Sequence, residues 1–376
     1  MKRLTADDLA DGCGRIVLDE NGRATEPWAL VDLDHTPSSR ATLAAAVNVA
    51  RGSTQILIGV TDAVTCPETV LLAEELAFSL TPETISGVPK QFVSVADVST
   101  ALGMCATSMD RCPTTALTFV DLLGLTSRLP VREGLIAESL AYSMLLAGSE
   151  FTRWLDSRPD RKQRQQHPHD PVILRRDGTH LFIELNRPER HNAFGRDVRD
   201  ALIEAFRLAQ LDSSIHTVHL GGSGPSFCSG GDLDEFGNAG DVCVAHLVRQ
   251  NQNAGLILHD LNQQVHVVVH GACIGAGVEL PAFASHVQAH DDAYFQLPEI
   301  QMGLIPGAGG TVSITRRIGR WRTAYLGLSG QPINVDTALS WGLVDARASK
   351  CTGTPPVGEV RPSRSSSSAP IEIGLG

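Results

Sequence analysis

Between residues 181 and 220 the chain spells out a strand, a helix and a second strand in succession. Leu181-Phe182-Ile183-Glu184-Leu185 reads as a strand. Val198, Ala201, Leu202, Ala205, Phe206 and Ala209 then fall on one helical face, and Thr217-Val218-His219-Leu220 reads as the next strand. A helix crossing between two parallel strands is right-handed almost without exception, so the segment predicts a layered α/β fold. A fainter version opens the chain: Ala29-Leu30-Val31-Asp32-Leu33-Asp34, an alanine-rich helix from Leu43 to Ala50, then Ile56-Leu57-Ile58-Gly59-Val60. Between the two copies, Asp156 to Gln166 is charged, amide-rich and without apolar periodicity, the pattern of a linker or an exposed helix end.

The 376 residues suffice for two domains, and 42% hydrophobic residues can bury a sizeable core. A net charge of −11 argues against a nucleic-acid or anionic-membrane surface. No apolar run reaches the length of a membrane span and the amino terminus lacks a signal-peptide core, so a soluble cytoplasmic protein is expected. The eight cysteines form no C-x-x-C pair and read as buried small apolar residues. His167-Pro168-His169-Asp170 sits in a polar stretch and reads as linker, while His266 and His270 bracket a valine run as core or edge residues. No metal is expected.

The chemistry concentrates in glycine-rich turns. Phe227-Cys228-Ser229-Gly230-Gly231-Asp232-Leu233 precedes two glutamates, Glu279 and Glu299, each of which follows a turn. A thioester attacked at Cβ or deprotonated at Cα gathers negative charge on its carbonyl oxygen, which main-chain N–H groups of such turns can receive. Two carboxylates nearby could handle water and a proton.

Further motifs stand in order around that segment: Leu185-Asn186-Arg187-Pro188 with Asn192-Ala193, then 227–233, Gly271-Ala272-Cys273-Ile274-Gly275-Ala276-Gly277-Val278-Glu279-Leu280, Leu297-Pro298-Glu299-Ile300 with Gly303 to Thr311, and Trp341-Gly342-Leu343-Val344-Asp345. With this set in this order, the chain over about residues 171 to 347 resembles the crotonase family, the enoyl-CoA hydratases and isomerases. The resemblance implies a spiral of repeated ββα units. It also implies an oxyanion hole made by the N–H groups of Gly231 and Ala276, with Glu279 holding the water that adds at Cβ and Glu299 as proton donor to Cα. Glu279 is expected at the start of a helix through Ala284. Substrate-binding positions implied are Arg187, Arg190, Asn192, Ala193, Ser229, Gly230, Asp232, Leu233, Gly275, Pro306 and Gly307. Either arginine could meet a phosphate of CoA, which is part of the substrate; no separate cofactor is expected.

The expected organisation is an amino-terminal domain over 1–158, degenerate, crotonase-like and non-catalytic; a linker over 159–170; a catalytic crotonase-like domain over 171–348; and a Pro/Ser/Gly-rich disordered tail over 349–376. Three departures from the family stand out: His266 replaces a proline, Ala276 replaces a glycine, and the closing carboxy-terminal helices are missing. Residues 112–155 resemble those helices and are expected to supply them from the amino-terminal side, within the chain or from a neighbour in a trimer or hexamer. Keeping both glutamates favours enoyl-CoA hydratase. An isomerase, another acyl-CoA lyase or hydrolase of the family, and a non-catalytic acyl-CoA-binding scaffold subunit are the alternatives.

Overall fold

The computed structural model describes residues 2–64, 67–83, 87–159, 169–261 and 264–348. The tail expected over 349–376 and most of the linker expected over 159–170 lie outside the described residues. Among those described, no helix is long and apolar enough to cross a membrane.

Runs of apolar and β-branched residues make the first sheet. The amino-terminal half alternates β1 (Arg3–Leu4), α1 (Ala6–Ala10), β2 (Trp28–Asp32), α2 (Arg40–Arg51), β3 (Ile56–Val60), α3 (Pro67–Ala73), β4 (Phe78–Pro82) and β5 (Phe92–Val95). Its five strands pair in parallel and in chain order. Strand β3 is buried on both faces at Ile56, Leu57 and Ile58, as a parallel sheet covered by helices requires. A β-carbon at Gly59 would stand 2.4 Å from Ser79 Oγ and 2.6 Å from Leu33 Cδ1, so a larger residue there would have to displace packed side chains. The strand, helix and strand expected over 29–60 are present as β2, α2 and β3. We propose a common origin with the second half on that layering alone.

Four helices follow: α4 (Val98–Arg111), α5 (Pro113–Thr126), α6 (Val131–Leu146) and α7 (Ser149–Asp156). Pro113 opens α5, where its missing N–H costs nothing. The next donors of that first turn, Thr114 N–H, Thr115 N–H and Thr115 Oγ1, all donate to the Glu150 carboxylate of α7 at 2.7–2.9 Å.

The second half begins with an antiparallel hairpin, β6 (Val172–Asp177) and β7 (His180–Leu185), followed by α8 (Arg196–Leu211) and β8 (Thr217–Gly222). Then come α9 (Val242–Asn251), α10 (Ala254–Asp260), β9 (Val265–Val269), β10 (Ala272–Ile274), α11 (Ala276–Glu279), β11 (His286–Ala289) and β12 (Tyr294–Gln296). It closes with α12 (Gly310–Ile318), α13 (Arg320–Ser329), β13 (Ile333–Asn334), α14 (Val335–Trp341) and β14 (Ala346–Arg347). The large sheet runs β14-β11-β9-β8-β7-β6 and a smaller one runs β10-β12-β13. Strand β9 of the large sheet leads into β10 of the small one, and β11 into β12. After β7 and β8 the same step is made by single bridges, Phe194 to Gly231 and Cys228 to Cys273. This is the expected spiral of strand, strand and helix.

Two expectations need correction. His266 is neither core nor edge: it projects from β9 on the open face of the large sheet, in lateral register with His219 of β8 and His286 of β11. The alternation along β9 buries Val265, Val267 and Val269 and so turns His266 outward. Cys105, Cys112, Cys228 and Cys273 are buried as expected, but Cys243 is exposed on α9.

The halves share one core. Phe78, Phe119, Leu123, Leu145 and Phe151 pack with Ile300, Leu304, Ile305, Ala324 and Leu328. The ring of Phe119 lies on Gly327 of α13, where a β-carbon would be 2.5 Å from Cε1. Thr126 Oγ1 donates to the Thr311 carbonyl at 2.7 Å, and Arg316 Nη2 to the Leu129 carbonyl at 2.6 Å. The helices within 112–155 therefore cover the second half inside the same chain.

Candidate active site

Two glycine-rich segments are laced side by side. Cys228 N–H donates to the Ala272 carbonyl at 3.1 Å, and Ile274 N–H donates to the Cys228 carbonyl at 3.0 Å. Each segment then turns through a glycine of positive φ, Gly230 at 93° and Gly275 at 50°. Beyond those turns, the N–H groups of Gly231 and Ala276 have no acceptor among the described residues. Leaving an amide donor unmade inside a protein costs about 1–3 kcal/mol, and such a pair can receive an oxygen on which charge develops. Neither glycine of the first segment is replaceable: a β-carbon at Gly231 would meet the Phe236 ring at 2.7 Å, and one at Gly230 would stand 3.1 Å from the Ile274 carbonyl.

Glu279 does not start a helix. It is the last residue of α11, and a 3-10 turn from Pro281 to Phe283 follows because the proline has no N–H to continue the ladder. Its carboxylate reaches a different helix: Oε2 accepts from Ala308 N–H at 2.7 Å and Gly310 N–H at 2.8 Å, at the start of α12. Burial pushes this carboxyl up to about 7, against the lowering effect of those two donors. Glu299 opens a 3-10 turn, and its Oε1 would lie 2.4 Å from a β-carbon on Gly275. Its Oε2 is sealed from solvent and has no partner. Burial first, and then the charges of Glu279 and Glu138, hold Glu299 well above the usual carboxylate range. Two carboxylates beside one turn thus stand in contrasting settings, one held by two N–H donors of another helix and one with a buried oxygen, Oε2, that has no partner.

A cavity of about 740 Å³ opens between α6, α9, α10 and the segment 235–241. Glu138, Phe194, Asp232, Gly307 and Ala308 lie on its wall; Glu279 and Glu299 do not. The connection to them is the 307–310 turn, whose Gly307 is covered by the Tyr142 ring at 2.5 Å from an added β-carbon. The Arg249 guanidinium stacks over that ring, 4.8 Å from the Tyr142 centroid.

The residues expected to hold substrate are distributed unevenly. Gly230, Gly231, Gly275 and Ala276 come together, with Ser229 just behind, its N–H donating to the His191 carbonyl at 2.9 Å. Pro306 is buried beneath the turn that carries Gly307. Leu233 is exposed, and its carbonyl accepts from Arg158 Nη1. Arg190 is already engaged: its Nη2 donates to Asp232 Oδ1 at 2.8 Å and Asp234 Oδ2 at 2.6 Å, so two carboxylates occupy the group expected to meet a phosphate. Arg187 is 3% exposed and is not presented at the surface. Asn192 is fully buried at φ 53°, and its side chain pins the loop by accepting from Arg187 N–H and donating to the Ser223 and Ser226 carbonyls. Ala193 is buried beside it.

Residues 176–351 match the family described as Enoyl-CoA hydratase/isomerase. The chain is similar to the 2,3-dehydroadipyl-CoA hydratase of Escherichia coli K12, 32% identical over 173 residues that make up 46% of this chain and 67% of that one. The chain belongs to the enoyl-CoA hydratase/isomerase family. Other members at comparable distance are the mevalonyl-coenzyme A hydratase sidH of Aspergillus fumigatus, 29% identical over 44% of this chain and 61% of that one, and the 1,2-epoxyphenylacetyl-CoA isomerase of Escherichia coli K12, 33% identical over 44% and 64%. The chain thus spans about three fifths to two thirds of the length of these three relatives. Among solved structures, an enoyl-CoA hydratase of Mycobacterium smegmatis is 30% identical over 48% of this chain and 70% of that one, with a TM-score of 0.45.

Residue 138 lies outside the segment matched to the family and outside its motifs. Glu138 is 3% exposed, yet in sequence it is one more glutamate on a largely apolar helix. Its one signal was a helix resembling the family's closing helices, which places it over the turn but does not single it out.

Proposed function

We propose that the chain hydrates a 2-enoyl-CoA thioester. The observation that carries this reading is the contrasting settings of Glu279 and Glu299 beside two unpaired N–H groups. In this reading the thioester oxygen lies between Gly231 N–H and Ala276 N–H. Glu279, whose carboxylate is held by the Ala308 and Gly310 N–H donors, takes a proton from water as the oxygen bonds to Cβ. The double-bond electrons move onto the thioester oxygen. Glu299, whose burial favours the protonated form, gives its proton to Cα as the carbonyl re-forms. Environments that push paired carboxyls apart are how one site runs both acid and base steps.

The acyl group would use the 740 Å³ cavity, and the CoA moiety is part of the substrate. Isomerisation is the second reading: the sealed, unpartnered Glu299 Oε2 suits a single acid/base that shuttles a proton between Cα and Cγ. Trans-2-enoyl-CoA and trans-3-enoyl-CoA separate the two. Loss of the conjugated-thioester absorbance from the first, with a 3-hydroxyacyl-CoA product, supports hydration; its appearance from the second, without hydroxyl product, supports isomerisation. A trimer or hexamer is proposed on the family's ground, and sedimentation of the full chain measures it.

A further inference from the structure

Four successive N–H groups of one turn are divided between two carboxylates from the two halves of the chain. Ala308 and Gly310 donate to Glu279 Oε2 at 2.7 and 2.8 Å. Gly309 donates to Glu138 Oε1 at 2.8 Å, and Thr311 donates to Glu138 Oε2 through its N–H at 3.0 Å and its Oγ1 at 2.7 Å. The alternation means that neither acid can move without turning the peptides that hold the other. Gly310 is required by this crowding, since a β-carbon there would be 2.6 Å from Glu279 Cγ.

We propose that Glu138 is a positioning residue of the site: by holding Gly309 and Thr311 it fixes the turn so that the alternate N–H groups of Ala308 and Gly310 converge on Glu279. This rests on reading Glu279 as a site carboxylate. Glu138 comes from α6, outside the segment matched to the family, so the amino-terminal half completes the site and does more than cover it.

The groups facing Glu138 fit this role. Glu279 stands across the turn, Glu299 lies beyond it, and Tyr142 sits one helical turn along α6. From α9, Arg249 donates to Ser139 and Ser143, and His246 pairs with Ser139 Oγ at 2.9 Å. Burial and the charge of Glu279 push Glu138 up to about 8, while Thr311 and Gly309 draw it down. Two such acids release their protons in two steps that belong to the pair.

Infrared titration of the protonated-carboxyl band tests this without any substrate. In the full chain carrying Glu299→Gln, two steps are expected across the neutral range. Adding Glu138→Gln should leave one, and Thr311→Val, which removes one donor to Glu138 and leaves the backbone, should move the later step to higher pH. A single step that Glu138→Gln leaves in place would overturn the proposal. Should the chain carry Glu299 and turn over trans-2-butenoyl-CoA, Glu138→Gln should lower kcat about tenfold or more with KM little changed, the split expected when a transition-state contact is loosened. An unchanged kcat would also overturn it. Absence of turnover in the wild type would sink the hydratase reading alone, because the titration is read on the protein by itself.

Discussion

Gly275 and Glu299 fit together with no room for a methyl group: a β-carbon on Gly275 would stand 2.4 Å from Glu299 Oε1, and the residue's φ of 50° disfavours any side chain. Gly275→Ala must therefore displace the acid, the Ala276 N–H, or both. A displacement of about 1 Å can lower turnover by about 100-fold. Steady-state kinetics should show that fall in kcat, with the far-ultraviolet circular dichroism of the wild type retained.

The two glutamates should fail separately and severely. Glu279→Gln and Glu299→Gln each remove one end of the proposed proton path, a contribution of about 10²–10⁴-fold for a positioned acid or base. Both substitutions keep the shape of the side chain, so calorimetric binding of a saturated acyl-CoA should stay within a few-fold of wild type. Loss of binding along with turnover would mark them as structural.

Stability should fall as pH rises. Glu138 is raised from 4.5 to about 8 and Glu279 from 4.5 to about 7, so the folded chain holds protons that the unfolded chain releases. For a raised acid the stability is full below the unfolded value and is lost as pH climbs through the folded one. Urea midpoints should decline between about pH 4.5 and 8, and Glu138→Gln should flatten that decline. A midpoint that rises across this window in the wild type would contradict the pairing of these acids in a buried site.

The shared core predicts a single unfolding transition. Phe119 is buried against Gly327 of the other half, and Phe119→Ala should cost about 3–5 kcal/mol. Near- and far-ultraviolet melts should shift together. Two separated transitions would show that the halves fold independently.

Much of this was legible along the chain because local rules suffice for it. Leu181 to Leu185 alternates its buried residues, and Val198, Leu202, Ala205, Phe206 and Ala209 bury the expected face of α8. Gly230, Gly231 and Gly275 announced turns where the backbone must approach closely, and the structure brings those turns together. What the sequence hid depends on distant partners. Glu138 lies 171 residues from the Gly309 N–H it accepts, and no spacing rule links them. Glu279 reads in sequence as a helix start but ends α11, and the helix its carboxylate serves begins at Gly310, thirty-one residues on. Arg190 looked free for a phosphate because Asp232 and Asp234 reach it only after the 227–233 segment folds back.

The most direct measurement is the absorbance of trans-2-butenoyl-CoA at its conjugated-thioester band, followed with the full-length wild type beside Glu279→Gln and Glu299→Gln. The account predicts that the wild type removes the band and forms 3-hydroxybutyryl-CoA while both variants leave it nearly intact. A wild type that binds the thioester yet leaves the band unchanged, or variants that match its rate, would contradict hydration by these two carboxylates.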